Sequence, residues 1–383
     1  MSTLDRAQRT PAPTPAPAHP PGNSPAPHKP APRTGTLRAG VVGVGRMGRH
    51  HARVYAQLGD TQLVGVVDNN PERAEAIAEQ HGCPALFSVE QLLERGVDVV
   101  SIAVPTSYHL ASAEPLLRAG VACLIEKPLA GDAEEAAKIQ RAADAAGAVL
   151  MVGHIERFNP ILRALKREQE RGLPIVPRFM EVSRVSPMTF RSVDVSVVMD
   201  MMIHDLDVVI MLMGGREPDE VYASGVPVIT QHEDICNARL VWRSPGGVCT
   251  ANITTSRLAL KTERITRITG ENAYVKIDYA AKSGTIIRRL AHETQMEQVR
   301  EQLRQGADLS NLKWQELLNI EELTVDEGEP IVMEIQAFLD AVRTGRQPEI
   351  DARAGLANVR TAERIIEAAR RERADPAAVS SPR

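Results

Sequence analysis

The most constraining feature of this 383-residue chain is a regular alternation of apolar runs and amphipathic segments between residues 37 and 155. LRAGVVG, TQLVGVVD and VDVVSIAVP are apolar runs, and each is followed by a segment with helical periodicity. Continuous apolar strands that alternate with helices form a parallel sheet covered on both faces. The pattern therefore predicts an α/β fold that opens with a doubly wound, Rossmann-type domain over residues 37–155.

The rhythm changes after about residue 155. Short, partly alternating runs such as ARLVWR, VCTANITTSR and AYVKIDY are separated by turn signals such as SPGG and GEN, a pattern typical of antiparallel strands. Residues 156–374 are therefore expected to form an α+β domain with a large open antiparallel sheet. Two closing helices are predicted at 330–344 and 352–373, and they can pack back on the first domain.

Both ends of the chain have a different composition. Ten of the 26 prolines lie within the first 35 residues, and such a segment cannot bury enough apolar area to offset its ordering entropy. We therefore expect residues 1–36 to be a disordered Pro/Ala-rich tail and residues 375–383 to be a second disordered tail.

Charge and cysteine content limit the partners and the compartment. With 45 Lys and Arg against 49 Asp and Glu, nothing draws the chain to nucleic acid or to an anionic membrane. The four cysteines form no CxxC pair, which argues against a zinc ribbon or a disulfide framework and favours a reducing cytoplasm. No signal-peptide pattern is present. We expect a cytoplasmic protein that acts on a small molecule, without a metal, a membrane or nucleic acid.

A glycine-rich turn, GVGRMG, joins the first strand to the first helix. In a dinucleotide-binding fold, Gly43 permits the tight turn, Gly45 lets the backbone approach the pyrophosphate, and Gly48 lets the helix pack closely on the strand. The same turn carries Arg46 and Met47, which we also expect to contact the cofactor. The alternative is that the three glycines serve only a tight turn.

Asp68 closes the second strand, 20 residues after Gly48. A carboxylate at this position can accept hydrogen bonds from the ribose hydroxyls of the adenosine. Asn69 and Asn70 follow it, and neither is suited to bind a 2′-phosphate. NAD is therefore predicted as the cofactor in preference to NADP.

Two later strand ends should complete the cofactor crevice, because carboxyl ends of parallel strands line it. Lys127 follows the presumed fifth strand in LIEKPLA, where it can donate to a reacting oxygen; an ordinary ion pair with Glu126 is the alternative. The end of the fourth strand should pass under the nicotinamide. The cofactor contacts expected from these two ends are Val104, Pro105, Thr106, His109, Glu126 and Lys127.

The segment DMMIHDLD places Asp200, His204 and Asp207 at i, i+4 and i+7 of an otherwise apolar helix. His204 is a candidate general base with Asp200 orienting it, and a satisfied His–Asp pair in the core is the alternative. GHIERFNP, at the junction of the domains, offers Arg157 and Asn159 as substrate ligands. An ion pair of Glu156, Arg157 or their neighbours across the junction explains the same residues equally well.

With these residues in place, the chain resembles the family of glucose-fructose oxidoreductase, inositol dehydrogenase and MocA. The resemblance covers about residues 38–372 and rests on GVGRMG, AVPTSYH, EKPLA, the DMMIHDLD helix and the closing helices. It implies oxidation of a sugar or cyclitol hydroxyl to a ketone, or the reverse, by a noncovalent nicotinamide cofactor without a metal. It also implies that Lys127, Asp200 and His204 are catalytic, that His204 contacts the substrate, and that the chain forms a homodimer or homotetramer.

Within this family, GHIERFNP and TFRSVDVSVVMDMMIHDLD are most similar to bacterial UDP-N-acetylglucosamine 3-dehydrogenases, which supply a 3-keto sugar nucleotide for the diamino sugar of lipid A. That similarity implies oxidation of the 3-hydroxyl of UDP-N-acetylglucosamine. Two alternatives stay open: a dehydrogenase of a free cyclitol or hexose, and a non-catalytic dinucleotide-binding sensor. The joint presence of Lys127, Asp200 and His204 argues against a sensor.

Overall fold

The computed structural model describes residues 32–172, 175–189, 193–290, 293–306 and 317–374. The predicted tail segments 1–31 and 375–383 lie outside these ranges. Residues 32–36, which were predicted to belong to the first tail, are described, and Arg33 contacts the folded domain. Its guanidinium donates to the Asp98 carboxylate at 2.6 Å and to the Gly120 carbonyl at 2.9 Å. The prediction that residues 32–36 are disordered is therefore wrong.

Six strands form a wholly parallel sheet in the order β3-β2-β1-β4-β5-β6. The order reverses between β1 and β4, the switch point where such folds bind dinucleotides. Strand β3 was not predicted. The elements of this part are β1 Leu37–Val42, α1 Gly48–Gln57, β2 Thr61–Val67, α2 Pro71–His81, β3 Ala85–Leu86, α3 Val89–Glu94, β4 Val99–Ile102, α4 His109–Arg118, β5 Ala122–Glu126, α5 Ala133–Ala146 and β6 Leu150–Gly153.

Local sequence explains where these helices begin. The side chains of Asn70, Ser88 and Asp132 accept hydrogen bonds from backbone N–H groups of the first turns of α2, α3 and α5. Gly82 and Gly147 end α2 and α5 in the left-handed conformation, which glycine adopts without strain. The predicted doubly wound domain is confirmed.

Eight strands form the second sheet, in the order β14-β13-β12-β11-β7-β10-β9-β8. All neighbours are antiparallel except β7 and β10, which run parallel. The predicted antiparallel sheet is therefore a mixed one. Its elements are α6 Pro160–Glu170, β7 Pro177–Val185, α7 Ile203–Leu212, β8 Glu220–Val226, β9 Ile235–Ser244, β10 Gly247–Ser256, β11 Glu263–Gly270, β12 Ala273–Asp278, β13 Ser283–Arg289, α8 Glu293–Arg304, β14 Leu318–Glu322, α9 Pro330–Thr344 and α10 Ala352–Ala374.

Two apolar cores are present, one under each sheet. Helix α9 contributes Ile335 and Phe338 to the first core, although it follows the second sheet in the chain. Helix α10 joins both cores, with Val359 in the first and Ile365 in the second. Helix α10 therefore joins the second sheet to the parallel one, whereas α9 packs on the first core.

Candidate active site

The glycine turn between β1 and α1 has the geometry that a bound pyrophosphate requires. Gly43 has a φ of 83°, and a Cβ there would lie 2.8 Å from the Ala103 backbone. A Cβ on Gly48 would lie 1.7 Å from the Gly43 carbonyl oxygen, so the helix packs against the turn without room for a side chain. At Gly45 only the Arg73 side chain lies within 4 Å, so this backbone faces open space.

Asp68 braces the same turn from β2. One carboxylate oxygen accepts from the Val44 N–H at 3.0 Å and the other from the Asn70 N–H at 2.9 Å. Because a carboxylate has about four acceptor positions, capacity for ribose hydroxyls remains. Arg73, half-exposed on α2, lies 3.4 Å from this carboxylate and went unnoticed in the sequence. The open space over the Gly45 backbone and the Asp68 carboxylate beside it fit a dinucleotide.

A cleft of about 610 Å³ runs from this turn to the end of β5. Phe87, Ser88 and Tyr108 line it but were not predicted; the first two follow strand β3, whose two residues are too few to show a period. The lining includes nine of the twelve predicted cofactor contacts: Gly43, Gly45, Arg46, Met47, Asp68, Val104, Pro105, Glu126 and Lys127.

The other three predicted contacts, Gly48, Thr106 and His109, do not line the cleft. Gly48 acts through packing, as described above. His109 is buried, and its ring nitrogens lie 3.0 Å from the Val104 carbonyl and 3.2 Å from that of Leu129. Its ring therefore fastens two loops behind the wall of the cleft, so the expectation of a direct cofactor contact is corrected for His109.

Lys127 lies where β5 ends, at the opposite end of the cleft from Asp68. Its Nζ donates to the Asp200 carbonyl at 2.8 Å and lies 4.0 Å from the Asp200 carboxylate. Burial lowers the pKa of Lys127, and the Asp200 and Glu126 carboxylates offset part of that effect. The two residues are 73 positions apart in sequence, and their contact joins the first domain to the second.

The backbone around Asp200 departs from the predicted regular helix. Residues Val198–Met202 form a π-helical turn that runs directly into α7. Among the described residues Asp200 pairs with Lys127. That Asp200 orients His204 stays a prediction.

His204 lies beside this pair on the first turn of α7. Its Nδ1 is buried and has no hydrogen-bond partner among the described residues. Burial lowers the pKa of His204 well below 6.5, and the nearby charges of Lys127 and Arg184 lower it further. The imidazole is therefore neutral at physiological pH, the state in which it can accept a proton.

Two predicted substrate ligands have contacts within the protein. The Arg157 guanidinium donates to both carboxylate oxygens of Asp207 at 2.6 Å, and the residue is only 9% exposed. Asn159 caps α6 through the Ile161 N–H, and its amide group donates to Glu156. These contacts give both side chains a structural role, and their binding of substrate stays a prediction.

A second buried ion cluster lies beneath His204 and was missed in the sequence. Arg184 on β7 donates to both Asp205 carboxylate oxygens at 2.6 and 3.0 Å and to Glu156 at 3.2 Å. These ion pairs hold the junction residues against α7 and β7. An ion pair at this junction was the predicted alternative to substrate binding, but Arg184 and Asp205 were not predicted as its partners. Arg264 on β11 approaches Glu156 at 3.8 Å, and its side chain remains 46% exposed.

Comparison with known proteins places this geometry in a family. Residues 37–154 match a model described as an oxidoreductase family, NAD-binding Rossmann fold, and residues 192–379 match the C-terminal α/β domain of the same family. The chain belongs to the Gfo/Idh/MocA oxidoreductase family. The resemblance stated from the motifs is confirmed, as are the two-part fold and NAD as the cofactor.

Relatives within the Gfo/Idh/MocA family include named dehydrogenases. The UDP-N-acetylglucosamine 3-dehydrogenase of Acidithiobacillus ferrooxidans is 42% identical over 243 residues, which span 63% of this chain and 74% of that enzyme. An inositol 2-dehydrogenase of Rhizobium meliloti is 33% identical over 205 residues, which span 51% of this chain and 60% of that enzyme.

A solved structure of the A. ferrooxidans enzyme superposes with a TM-score of 0.75 at 35% identity and covers 87% of this chain and 97% of its own. This Gfo/Idh/MocA chain is thus an NAD-dependent dehydrogenase. No helix in the part of the chain that the structure describes is long and apolar enough to cross a membrane.

Proposed function

We propose that this chain oxidises the 3-hydroxyl of UDP-N-acetylglucosamine to a ketone with NAD as the hydride acceptor. The observation that carries the proposal is the convergence of Lys127, Asp200 and His204 at one end of the dinucleotide cleft. The similarity to the A. ferrooxidans enzyme over three quarters of that enzyme's length supports the choice of substrate.

His204 is proposed as the general base. Its neutral imidazole takes the proton of the reacting hydroxyl, while Lys127 donates a hydrogen bond to the same oxygen and stabilises its developing negative charge. Asp200 holds the Lys127 ammonium through its carbonyl and carboxylate oxygens. NAD, when bound, accepts the hydride from the substrate carbon. The reaction needs no nucleophile, and oxidation of the carbon balances reduction of the cofactor.

The diphosphate of the substrate requires a cation that is not already neutralised. Arg157 and Arg184 are buried in short, bidentate ion pairs. Arg264 is more exposed, lies farther from its acidic neighbour, and contributes positive charge at His204. We propose Arg264 as the ligand for the diphosphate group, because an exposed guanidinium can bind phosphate oxygens in a bidentate manner.

A second function is favoured by the inositol 2-dehydrogenase relatives, which are 33–34% identical over about half of this chain. In that alternative the same three side chains oxidise a free cyclitol or hexose. Arg264 then has no diphosphate to bind, so replacing it distinguishes the two substrates.

We propose further that the enzyme is a cytoplasmic homodimer or homotetramer and that its product enters lipid A biosynthesis after transamination. The support is the substrate proposed above, together with the broad second sheet, which a second copy can cover. Light scattering of the full chain tests the assembly independently of the substrate.

The deciding experiment measures NADH appearance on mixing the full chain and NAD with UDP-N-acetylglucosamine, UDP-glucose, glucose or myo-inositol. We expect a signal with UDP-N-acetylglucosamine, and we expect Arg264→Ala to raise its KM at least about tenfold. The matched control is Arg267→Ala, on the same strand. A signal confined to myo-inositol or glucose would overturn the substrate and keep the chemistry.

A further inference from the structure

A chain of buried polar side chains lies behind the cleft, and the reaction described above does not use it. His51 on α1 is fully buried, with Nε2 3.0 Å from a Glu126 carboxylate oxygen and Nδ1 2.9 Å from the Ser101 hydroxyl. The Tyr55 hydroxyl lies 2.9 Å from the same serine oxygen. The other Glu126 oxygen accepts weakly, at 3.3 Å, from the Lys127 N–H.

The direction of the hydrogen bond between His51 and Glu126 follows from the chemistry of the groups. An ionised carboxylate can only accept, so His51 must donate from Nε2 to Glu126. The other ring nitrogen, Nδ1, hydrogen-bonds the Ser101 hydroxyl, which also hydrogen-bonds the Tyr55 hydroxyl. The Tyr55 phenol keeps its proton because burial raises its pKa. The chain of hydrogen bonds thus runs from Tyr55 through Ser101 and His51 to Glu126.

Glu334 on α9 shows which buried carboxylate carries the charge. It is 0% exposed, and neither of its oxygens has a hydrogen-bond partner among the described residues. His51, Glu126 and Glu334 each place one polar atom within 4.8 Å of the others. Burial raises the pKa of Glu334 well above its ordinary value, and the charge of Glu126 adds to the rise. Glu334 is therefore a neutral acid.

Glu126 is the member of this group that is held ionised. Burial alone raises the pKa of Glu126, but the hydrogen bond and charge of His51, together with the Lys127 charge, outweigh burial and lower it. The Lys127 Nζ is turned away toward Asp200, and Glu126 itself lines the cleft. Since Asp68 occupies the adenosine end of this cleft, Glu126 lies at the end that receives the nicotinamide.

We propose that His51 is a positioning residue that keeps a negative charge on Glu126 beneath the nicotinamide, and that this charge favours the oxidised cofactor over the reduced one. The oxidised ring carries a positive charge and the reduced ring is neutral, so a fixed carboxylate stabilises only the former. The inference rests on the placement of the dinucleotide proposed above. The Glu126 charge thereby raises the affinity of the site for NAD⁺ relative to its affinity for NADH.

The test compares three affinities of the full chain: NADH by its fluorescence, and NAD⁺ and ADP-ribose by competition with NADH. Glu126→Gln removes the charge and nearly preserves the shape, and His51→Leu removes the donor that keeps Glu126 ionised. Each is expected to weaken NAD⁺ relative to NADH by about tenfold. ADP-ribose, which lacks the nicotinamide, is expected to bind with unchanged affinity. His51→Gln, which can still donate, is expected to restore part of the preference.

Glu334→Gln is the matched control, because a neutral acid replaced by a neutral amide changes no charge; all three affinities are expected to stay as in the wild type. If His51→Leu fails to fold, Glu126→Gln decides. An unchanged NAD⁺ to NADH preference in Glu126→Gln would overturn the inference, as would a stoichiometric metal in the wild-type protein. Failure of the wild type to bind ADP-ribose would instead contradict the proposed cofactor site.

Discussion

The cofactor end and the substrate end of the cleft are built in different ways. At the cofactor end, the key contact joins Val44 to Asp68, 24 positions along the chain within one βαβ unit. At the substrate end, Lys127 reaches Asp200 across 73 positions and Arg157 reaches Asp207 across 50. One end is thus a local motif, whereas the other depends on contacts between distant segments, of which the Lys127–Asp200 contact joins the two domains.

This difference determines which property a substitution changes. A change in the glycine turn should weaken the binding of the dinucleotide and leave the arrangement of the reacting groups unchanged. A change in the ion pairs around α7 should disturb the reacting groups or the stability of the junction while the dinucleotide still binds.

Replacing His204 with Asn should cause the largest loss. The amide cannot accept the hydroxyl proton as a base, so kcat should fall by about 10²- to 10⁴-fold. NADH affinity, measured by fluorescence, should remain within about threefold of the wild type, because His204 does not line the dinucleotide cleft. Turnover at the wild-type rate would show that another group takes the proton.

The pH profile of the wild type gives an independent check on His204. Its folded-state pKa lies well below 6.5, so the neutral base persists as the pH falls through 6.5. We expect kcat/KM to stay level across pH 6.5 and to decline only at lower pH. The unfolded chain binds the proton first, so this histidine should also make the fold less stable as the pH drops below about 6.5. An acid limb centred at 6.5 would contradict the buried, cation-flanked imidazole.

Replacing Arg157 with Ala should cost about 3–5 kcal/mol of unfolding free energy, because the Asp207 carboxylate is left buried and unpaired. The measurement is urea unfolding of the full chain. Arg163→Ala removes a surface ion pair with Glu349 and is the matched control, with an expected cost below about 1 kcal/mol. Equal losses of unfolding free energy in the two variants would show that the buried pair stabilises the fold no more than the surface pair does.

Replacing Gly45 with Val should act at the cofactor end alone. The new side chain points into open space, so stability should be unchanged, but it occupies the volume over the turn where the pyrophosphate must lie. We expect NADH affinity to fall at least about tenfold. Gly59→Ala, at another turn where a Cβ meets nothing within 4 Å, should bind as the wild type does. Tight binding by the Gly45 variant would place the pyrophosphate elsewhere.

Sequence patterns predicted the features that depend on neighbours in the chain. The glycine turn, Asp68 and the parallel strands were all predicted, because their signals lie within a few residues of one another. His204 and Lys127 could be singled out as polar residues in apolar surroundings. Their chemical class was clear from sequence, but their contacts were not.

The features that were missed depend on packing between distant segments. The π-turn at Val198–Met202 and the contact of Asp200 with Lys127 were not predicted. The parallel pairing of β7 with β10 depends on the topology of the whole sheet. The partner of Arg184 on β7 is Asp205, which lies on a different element, α7. Residues 291–329 were assigned to the second domain without any helix or strand, and the structure has α8 and β14 there.

The most direct test of the division between the two ends is a single-turnover measurement on Lys127→Ala. Enzyme saturated with NAD⁺ is mixed with UDP-N-acetylglucosamine, and both bound cofactor and new NADH are recorded for the variant and for Lys138→Ala, a surface control. We expect Lys127→Ala to bind the cofactor within about tenfold of the wild type and, once saturated, to form NADH at least about 10³-fold more slowly. Normal NADH formation, or loss of cofactor binding together with turnover, would contradict the account.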